Sequence, residues 1–173
     1  GMITAVKYAR ENAIPFFGIC LGTQIAVIEY ARNVLGILDA NSGEFDELCK
    51  NKVIDFMPGQ SDDIDKGGTL RLGSYPCKIK SGTTMERCYG KREISERHRH
   101  RYEFNNEYRE AFEKAGLKLS GTSPDERLVE TVEITVRPFY VGVQFHPEFK
   151  SRPNNAHPLF KGFIKAAIDK KEN

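Results

Sequence analysis

One cysteine of the sequence lies in a pattern that is typical of catalytic nucleophiles. Cys20 is flanked by two glycines in the segment Gly18-Ile19-Cys20-Leu21-Gly22, at the predicted junction of a buried strand and a helix. Glycines allow the sharp turn of a nucleophile elbow, which leaves the reactive side chain exposed at the carboxyl end of the strand. The helix N-terminus beside the sulfur favours the thiolate, and its first backbone N–H groups can stabilise an oxyanion. The alternative is a cysteine that packs as a small buried hydrophobe, the commoner fate of a free thiol.

A nucleophilic cysteine needs a base, and the best candidate is His146. This residue ends a predicted apolar strand, so its ring is expected at the same carboxyl edge of the sheet as Cys20. Glu148, two residues further on, can accept the other ring N–H and fix the tautomer. The alternative is that His146 simply caps a strand.

The other three histidines are less suited to act as the base. His98 and His100 lie among three arginines, Arg97, Arg99 and Arg101. Cationic neighbours disfavour a protonated imidazole. His157 is predicted to lie in a loop. His146 is therefore preferred.

The four cysteines exclude two kinds of site. No two of them have the two-residue gap of a zinc knuckle or a redox dithiol, and four cysteines in 173 residues are too sparse for a disulfide framework. The sequence therefore predicts no metal site, and a reducing cytoplasm fits it best.

The segments around Cys20 alternate between helix and strand. Met2 to Asn12 is predicted to form an amphipathic helix, and Ile14 to Cys20 is apolar on both faces, as is typical of a strand buried between helices. Leu21 to Val34 is predicted to be a second helix that Gly36 ends. This order predicts an α/β fold with a parallel sheet covered on both faces.

The other predicted elements are, in chain order, a loop from Gln60 to Gly68, a strand from Thr69 to Gly73, a short helix from Asn106 to Ala115, strands from Leu117 to Ser120, Leu128 to Ile134 and Phe139 to Phe145, a helix from Pro158 to Asp169 and a frayed tail from Lys170 to Asn173. The last two strands are predicted to pair through a turn at 136–138. A buried strand so early in the sequence needs neighbours, so we expect the chain to start partway into a domain.

Composition limits the classes of function. The chain is 39% hydrophobic and 29% charged, with a net charge of +2, which is typical of one soluble globular domain. No apolar run reaches the roughly 20 residues that span a bilayer, and the sequence shows neither a membrane span nor a signal peptide. The basic stretch from Lys91 to Arg101 is compatible with a nucleic-acid patch, but no further basic clusters or tryptophans accompany it, so no nucleic-acid partner is expected.

Two motifs together resemble class I glutamine amidotransferases, whose Cys, His and Glu triad hydrolyses the side-chain amide of glutamine. The motifs are Gly18 to Gln24 and Gln144 to Glu148. Four further segments resemble the glutaminase domains of CTP synthases: Asn33 to Gly36, Asp39 to Phe45, Gly67 to Gly73 and Glu96 to Asn105. The resemblance runs from Gly1 to about Ala167 and implies a three-layer α/β sandwich of the flavodoxin-like kind.

The resemblance also implies a role for individual residues. Cys20 would be the nucleophile, His146 the general base and then acid, and Glu148 its orienting partner. The Leu21 N–H would donate to the oxyanion. Four further residues match positions that hold glutamine in the family: Gln24, Glu44, Arg101 and Tyr102. A glutamine substrate presents an ammonium for Glu44 and a carboxylate for Arg101, so these charges fit.

Several partners follow from the same resemblance. In the family, ammonia passes through a tunnel to an N-terminal synthetase domain, which binds ATP with Mg²⁺ and UTP, and GTP activates the glutaminase. The full enzyme is expected to be a cytoplasmic homo-oligomer, and this domain itself is expected to hold no cofactor. The alternatives are a glutaminase subunit of another biosynthetic amidotransferase and a folded but inactive fragment.

The sequence also departs from the family pattern. The synthetase domain and the N-terminal strands of the glutaminase domain are expected to be absent, together with a glycine-rich loop whose N–H completes the oxyanion hole. Such a donor contributes about a hundredfold or more in rate. We therefore expect weak activity and self-association of this chain alone.

Overall fold

The computed structural model describes residues 1–56 and 71–172. Its five α-helices are α1 (Met2–Glu11), α2 (Leu21–Asn33), α3 (Thr84–Tyr89), α4 (Arg109–Lys114) and α5 (Pro158–Glu172). Its nine strands are β1 (Phe16–Ile19), β2 (Asn41–Ser42), β3 (Lys52–Phe56), β4 (Arg71–Ile79), β5 (Glu93–His100), β6 (Tyr102–Phe104), β7 (Lys118–Thr122), β8 (Val129–Glu133) and β9 (Tyr140–Val143). Short 3₁₀ turns cover Asn106–Tyr108 and Pro147–Phe149. None of the helices in these ranges has the length and apolarity of a membrane span.

The strands form a six-stranded sheet in the order β1-β9-β8-β7-β4-β5 and a three-stranded sheet in the order β2-β3-β6. The α/β class is confirmed, but the expectation of a parallel sheet is wrong. In the larger sheet β1 and β9 are parallel, whereas the other four neighbouring pairs are antiparallel. Strands joined by short turns, as β8 and β9 are, can only pair antiparallel, and the helix-strand-helix opening gave no information about them.

Alternate residues of the central strands face two separate cores, which gives three layers. Phe16 and Tyr140 face a core formed with α1, α2 and α4. Phe17 and Val141 face a second core formed with α3 and α5. The period of two along each strand thus sends neighbouring residues to opposite faces of the sheet, and Cys20 follows directly after the strand between the two cores.

Other predicted elements agree with the structure in part. The predicted tail is helical up to Glu172, because α5 continues through Lys170 and Lys171. The middle of the chain contains β3 to β6 and α3, of which only the start of β4 was predicted as a strand. The predicted loop Gln60 to Gly68 lies outside the described residues, and the predicted strand from Thr69 is described only from Arg71 onward. The predicted pairing of β8 with β9 is confirmed.

Candidate active site

The backbone makes a sharp turn at Cys20, between β1 and α2. Cys20 has φ +48° and ψ −103°, a conformation that L residues rarely adopt. Its N–H donates to the carbonyl of Val143 at 2.8 Å. A Cβ added at Gly18 would lie 2.8 Å from the carbonyl carbon of Gly22 and 2.9 Å from the nitrogen of Thr23. The close approach of strand and helix therefore requires glycine at position 18, as the elbow pattern predicted. The expectation is wrong for Gly22, because nothing lies within 4 Å of a Cβ added there.

The surroundings of the Cys20 sulfur oppose ionisation. Burial raises the pKa of the Cys20 thiol, and the charges of Glu44 and Glu148 act in the same direction. The backbone N–H of Leu21 and the amide of Gln144 lower the pKa by less, the latter from 3.6 Å. The N–H of Leu21 at the helix N-terminus favours the thiolate, as expected, but desolvation outweighs it, so the net pKa of the thiol is raised.

His146 and Glu148 form a close pair beyond the end of β9. The Nδ1 of His146 lies 2.6 Å from a carboxylate oxygen of Glu148, which therefore accepts the Nδ1–H. The other ring nitrogen, Nε2, is buried and has no hydrogen-bond partner among the described residues. The backbone N–H of His146 donates to the carbonyl of Arg97 at 2.8 Å. β1 and β9 are parallel neighbours, with Ile19 opposite Val143. His146, Glu148 and Cys20 therefore lie at the same end of the sheet, beyond the carboxyl ends of these two strands.

A cleft of about 320 Å³ opens beside Cys20. Its lining includes Leu21 and the four residues that match glutamine-holding positions, Gln24, Glu44, Arg101 and Tyr102. Neither Glu44 nor Arg101 takes part in an ion pair within residues 1–56 and 71–172. Gln24 is buried, and its amide donates to the carbonyl of Tyr102 at 3.1 Å and to Gln144 at 3.3 Å. A carboxylate and a guanidinium beside a thiol suit a small zwitterion that carries an electrophilic carbon.

A buried polar cluster adjoins this cleft, whose lining includes His100, and was not predicted from the sequence. His98 and His100 are buried, and His98 Nδ1 lies 2.8 Å from His100 Nε2. Burial and the charge of Arg71 lower the pKa of His98 to about 2 and that of His100 to about 3. The lowered pKa agrees with the sequence argument, but the cation responsible is Arg71. The alternating polar pattern of β5 was the one signal that pointed to this cluster.

The remaining histidine and cysteines lie apart from the cleft lining. His157 is buried, and its Nε2 lies 3.1 Å from Glu96 Oε1. Cys77 is buried in β4, Cys88 lies in α3, and Cys49 is half-buried. Cys20 is therefore the cysteine that this cleft brings beside charged side chains.

A family model described as Glutamine amidotransferase class-I matches residues 1–166. The chain belongs to the class I glutamine amidotransferases. This amidotransferase is 59% identical over all of its 173 residues to the CTP synthase of Staphylococcus aureus strain JH9. The match covers 32% of that protein, so the chain spans about a third of the length of the curated relatives.

Solved structures agree with the family assignment. The glutaminase domain of Trypanosoma brucei CTPS with bound acivicin superposes on the amidotransferase with a TM-score of 0.91 and 39% identity, covering 97% of this chain and 65% of that one. A glutamine amidotransferase of Thermotoga maritima has a TM-score of 0.52 at 18% identity, covering 98% of this chain and 54% of that one. The first match shows homology to the glutaminase domain of a CTP synthase, and the second shows the shared fold alone.

Proposed function

We propose that this amidotransferase hydrolyses the side-chain amide of glutamine through Cys20, His146 and Glu148. The observation that carries the proposal is the cleft beside Cys20, which presents the carboxylate of Glu44 and the guanidinium of Arg101 without ion-pair partners among the described residues. Glutamine has one ammonium and one carboxylate on its α-carbon. Its binding between Glu44 and Arg101 would direct its amide toward the thiol.

The first half of the reaction forms a thioester. Nε2 of His146 takes the proton from Cys20 Sγ as the sulfur bonds to the amide carbon, and Glu148 stabilises the imidazolium that results. The Leu21 N–H donates to the oxygen that becomes negative. The carbon–nitrogen bond then breaks, the imidazolium gives its proton to the nitrogen, and ammonia leaves. The raised pKa of the thiol in the resting site favours the neutral thiol before substrate binds, so His146 is needed to take its proton.

The second half releases glutamate. Water gives a proton to Nε2 of His146 as its oxygen attacks the thioester carbon, and the proton returns to sulfur when the carbon–sulfur bond breaks. The short contact between Glu148 and Nδ1 keeps Nε2 free to accept a proton in both halves. Gln24 and Tyr102 complete the cleft, with the Gln24 amide fixed on the carbonyl of Tyr102.

We further propose that the ammonia serves amination of UTP to CTP by a synthetase region that uses ATP with Mg²⁺ and UTP, with GTP as activator. The identity of 59% to a CTP synthase over the whole chain supports this over another biosynthetic partner. We propose a cytoplasmic location for the activity, which the four free cysteines support. No residue of this chain is assigned to ATP or Mg²⁺.

Ammonia release from glutamine tests the first proposal. Cys20→Ala should abolish release, and Cys88→Ala, a matched loss of another half-buried thiol, should leave it unchanged. Release that survives Cys20→Ala would contradict the mechanism.

A chimera tests the second proposal. The matching third of the S. aureus CTP synthase is replaced by this chain, and CTP formation is measured with glutamine and with an ammonium salt. The chimera should use both nitrogen sources, and its Cys20→Ala variant should use the ammonium salt alone. A chimera that releases ammonia but makes CTP only from the ammonium salt would favour a different partner.

A further inference from the structure

One short segment, 97–102, contacts Cys20, His146 and Gln24 and contributes Arg101 and Tyr102 to the cleft. The carbonyl of Arg97 accepts the backbone N–H of His146 at 2.8 Å, and the carbonyl of Arg99 lies 4.0 Å from Cys20 Sγ. The carbonyl of Tyr102 accepts the amide of Gln24 at 3.1 Å. Arg101 lines the cleft between Arg99 and Tyr102. A small displacement of this segment would therefore misplace the nucleophile, the base and the substrate-binding residues together.

Two buried side chains hold the segment from behind. Arg97 and Arg99 are exposed, whereas the intervening His98 and the following His100 are only 1% and 6% exposed. His100 also lines the inner wall of the cleft. The two imidazoles are joined by the 2.8 Å contact between His98 Nδ1 and His100 Nε2. Each side chain also faces one carboxylate: His98 Nε2 lies 3.7 Å from Glu130, and His100 Nδ1 lies 3.5 Å from Glu103.

The charges around the pair define where its protons lie. Arg71 contacts Glu130 at 2.6 Å and Glu103 at 3.4 Å, so one cation faces two carboxyl groups. Burial and the charge of Glu130 raise the pKa of Glu103 to about 8, which favours its neutral form. Burial also raises the pKa of Glu130, but its hydrogen bond with Arg71 opposes the rise and favours the charged form. On the other side, the charged form of His146 would further disfavour protonation of both histidines.

One order of protons satisfies this arrangement. Glu130 faces the Nε2–H of His98, and Nδ1 of His98 accepts the Nε2–H of His100. Nδ1 of His100 then faces the protonated oxygen of Glu103. Each neutral imidazole supplies one donor and one acceptor, as its chemistry requires. The 2.8 Å contact is the hydrogen bond that fixes the relative orientation of the two rings, whereas His98 Nε2 and His100 Nδ1 face their carboxyl groups without a hydrogen-bond partner among the described residues.

We propose that His98 and His100 are positioning residues, whose mutual hydrogen bond holds segment 97–102 in the register that the glutaminase site needs. The inference rests on the proposed glutaminase function. His98 lies between the two carbonyls that contact Cys20 and His146, so its loss should act on kcat. His100 adjoins Arg101, so its loss should act on the KM for glutamine.

Amide side chains provide a matched test. The amide of Asn reaches the place of imidazole Nδ1 and can turn its oxygen there as the acceptor, and the amide nitrogen of Gln reaches the place of Nε2 as the donor. His98→Asn and His100→Gln therefore preserve the contact, whereas His98→Gln and His100→Asn offer the same chemical groups in the wrong place. Asn and Gln are uncharged and no larger than histidine, so none of the four variants adds a buried charge or overfills the site.

We expect the two preserving variants to stay within threefold of the wild type. His98→Gln should lower kcat at least tenfold with little change in KM, and His100→Asn should raise the KM at least tenfold. A merely structural role would move all four variants alike and would not separate kcat from KM. Tyr30→Phe is the control. It removes a partly buried hydrogen bond of 2.6 Å from the Tyr30 hydroxyl to the carbonyl of Ala115, in the core formed with α1, α2 and α4.

A second readout does not depend on glutamine turnover. The rate at which iodoacetamide alkylates Cys20, followed by peptide mass spectrometry, should change at least threefold in His98→Gln but not in His98→Asn or Tyr30→Phe. Equal alkylation rates in the two His98 variants would overturn the positioning role, whether or not the wild type releases ammonia. A wild type that does not hydrolyse glutamine but shows the alkylation difference would overturn the proposed function and leave the positioning role supported.

Discussion

At the scale of single residues, function depends on charges that the fold leaves unbalanced. Glu44 and Arg101 flank the cleft with no ion pair between them or to other described residues, which suits a ligand that carries both complementary charges. Behind the cleft, Arg71 must serve two buried carboxyl groups, and one of them stays protonated. The unpaired charges of Glu44 and Arg101 fit a zwitterionic ligand. The excess of buried carboxyl groups around Arg71 makes the stability of the fold depend on pH.

Arg101 provides the first prediction. Arg101→Ala should lower kcat/KM for glutamine about 10- to 100-fold, since it removes a charge-assisted contact with the substrate carboxylate. Arg101→Lys should recover only part of this loss, because an ammonium cannot make the paired contacts of a guanidinium. Steady-state ammonia release measures both, with Arg127→Ala as an exposed-arginine control. Unchanged kinetics in Arg101→Ala would show that the basic stretch has another role.

Glu103 provides the second prediction. Its pKa is raised to about 8 in the folded chain, against about 4.3 in an unfolded chain. Between these values the folded state holds a proton that the unfolded state has released. The contribution of Glu103 to the free energy of unfolding therefore falls as pH rises through this window and is level above it.

Glu103→Gln removes that dependence. The stability of the variant relative to the wild type should rise by an amount on the order of a few kcal/mol between about pH 5 and pH 8. Urea unfolding at intervals across this range measures the difference. Glu113→Gln, at an exposed glutamate that pairs with Lys80, should give a nearly flat difference. A flat or falling difference for Glu103→Gln would contradict the protonated state assigned to this residue.

At the scale of elements, the sequence predicts a strand or helix well where the residues of that element themselves carry an apolar pattern. The strand before Cys20 and the β8–β9 pair could be predicted because their own residues carry the apolar pattern. β5 could not, because its buried face consists of Ile94 and three polar residues, Glu96, His98 and His100. Their partners lie on β6, on β8 and near α5, so only the tertiary structure shows that this polar face is satisfied. The Cys20 and His146 motifs could be recognised because their residues are adjacent in the sequence. The cluster around Arg71 could not, because its residues come from distant strands.

The junction of β1 with α2 gives a prediction about packing. Gly18→Ala would place a methyl group 2.8 Å from the backbone of Gly22, so strand and helix must separate. We expect a loss of roughly 1–3 kcal/mol in stability, as for other overpacked sites. Gly22→Ala is the matched control, since nothing lies within 4 Å of its Cβ and alanine favours a helix. Equal unfolding midpoints for the two variants would contradict the close approach.

At the scale of the whole molecule, the two edges of the large sheet differ. The edge strand β5 is covered, because the backbone of His146 and the side chain of Lys150 both donate to its carbonyls. The opposite edge is β1 among the described residues. Beside it, α5 exposes Ile164 and Ile168 at 55% and 52%, along an apolar groove of about 540 Å³. An apolar strand edge next to an apolar helix face invites association with another chain.

We therefore predict that this chain self-associates through β1 and α5. Sedimentation velocity over a wide range of protein concentration should show an average mass that rises with concentration. Ile164→Glu should shift the distribution toward the monomer, because association would bury an unpaired carboxylate. Leu48→Glu introduces the same charge at a leucine that is 95% exposed and lies away from this groove, so it should leave the distribution unchanged. A wild type that stays monomeric throughout, or an equal response to both substitutions, would show that this face does not mediate association.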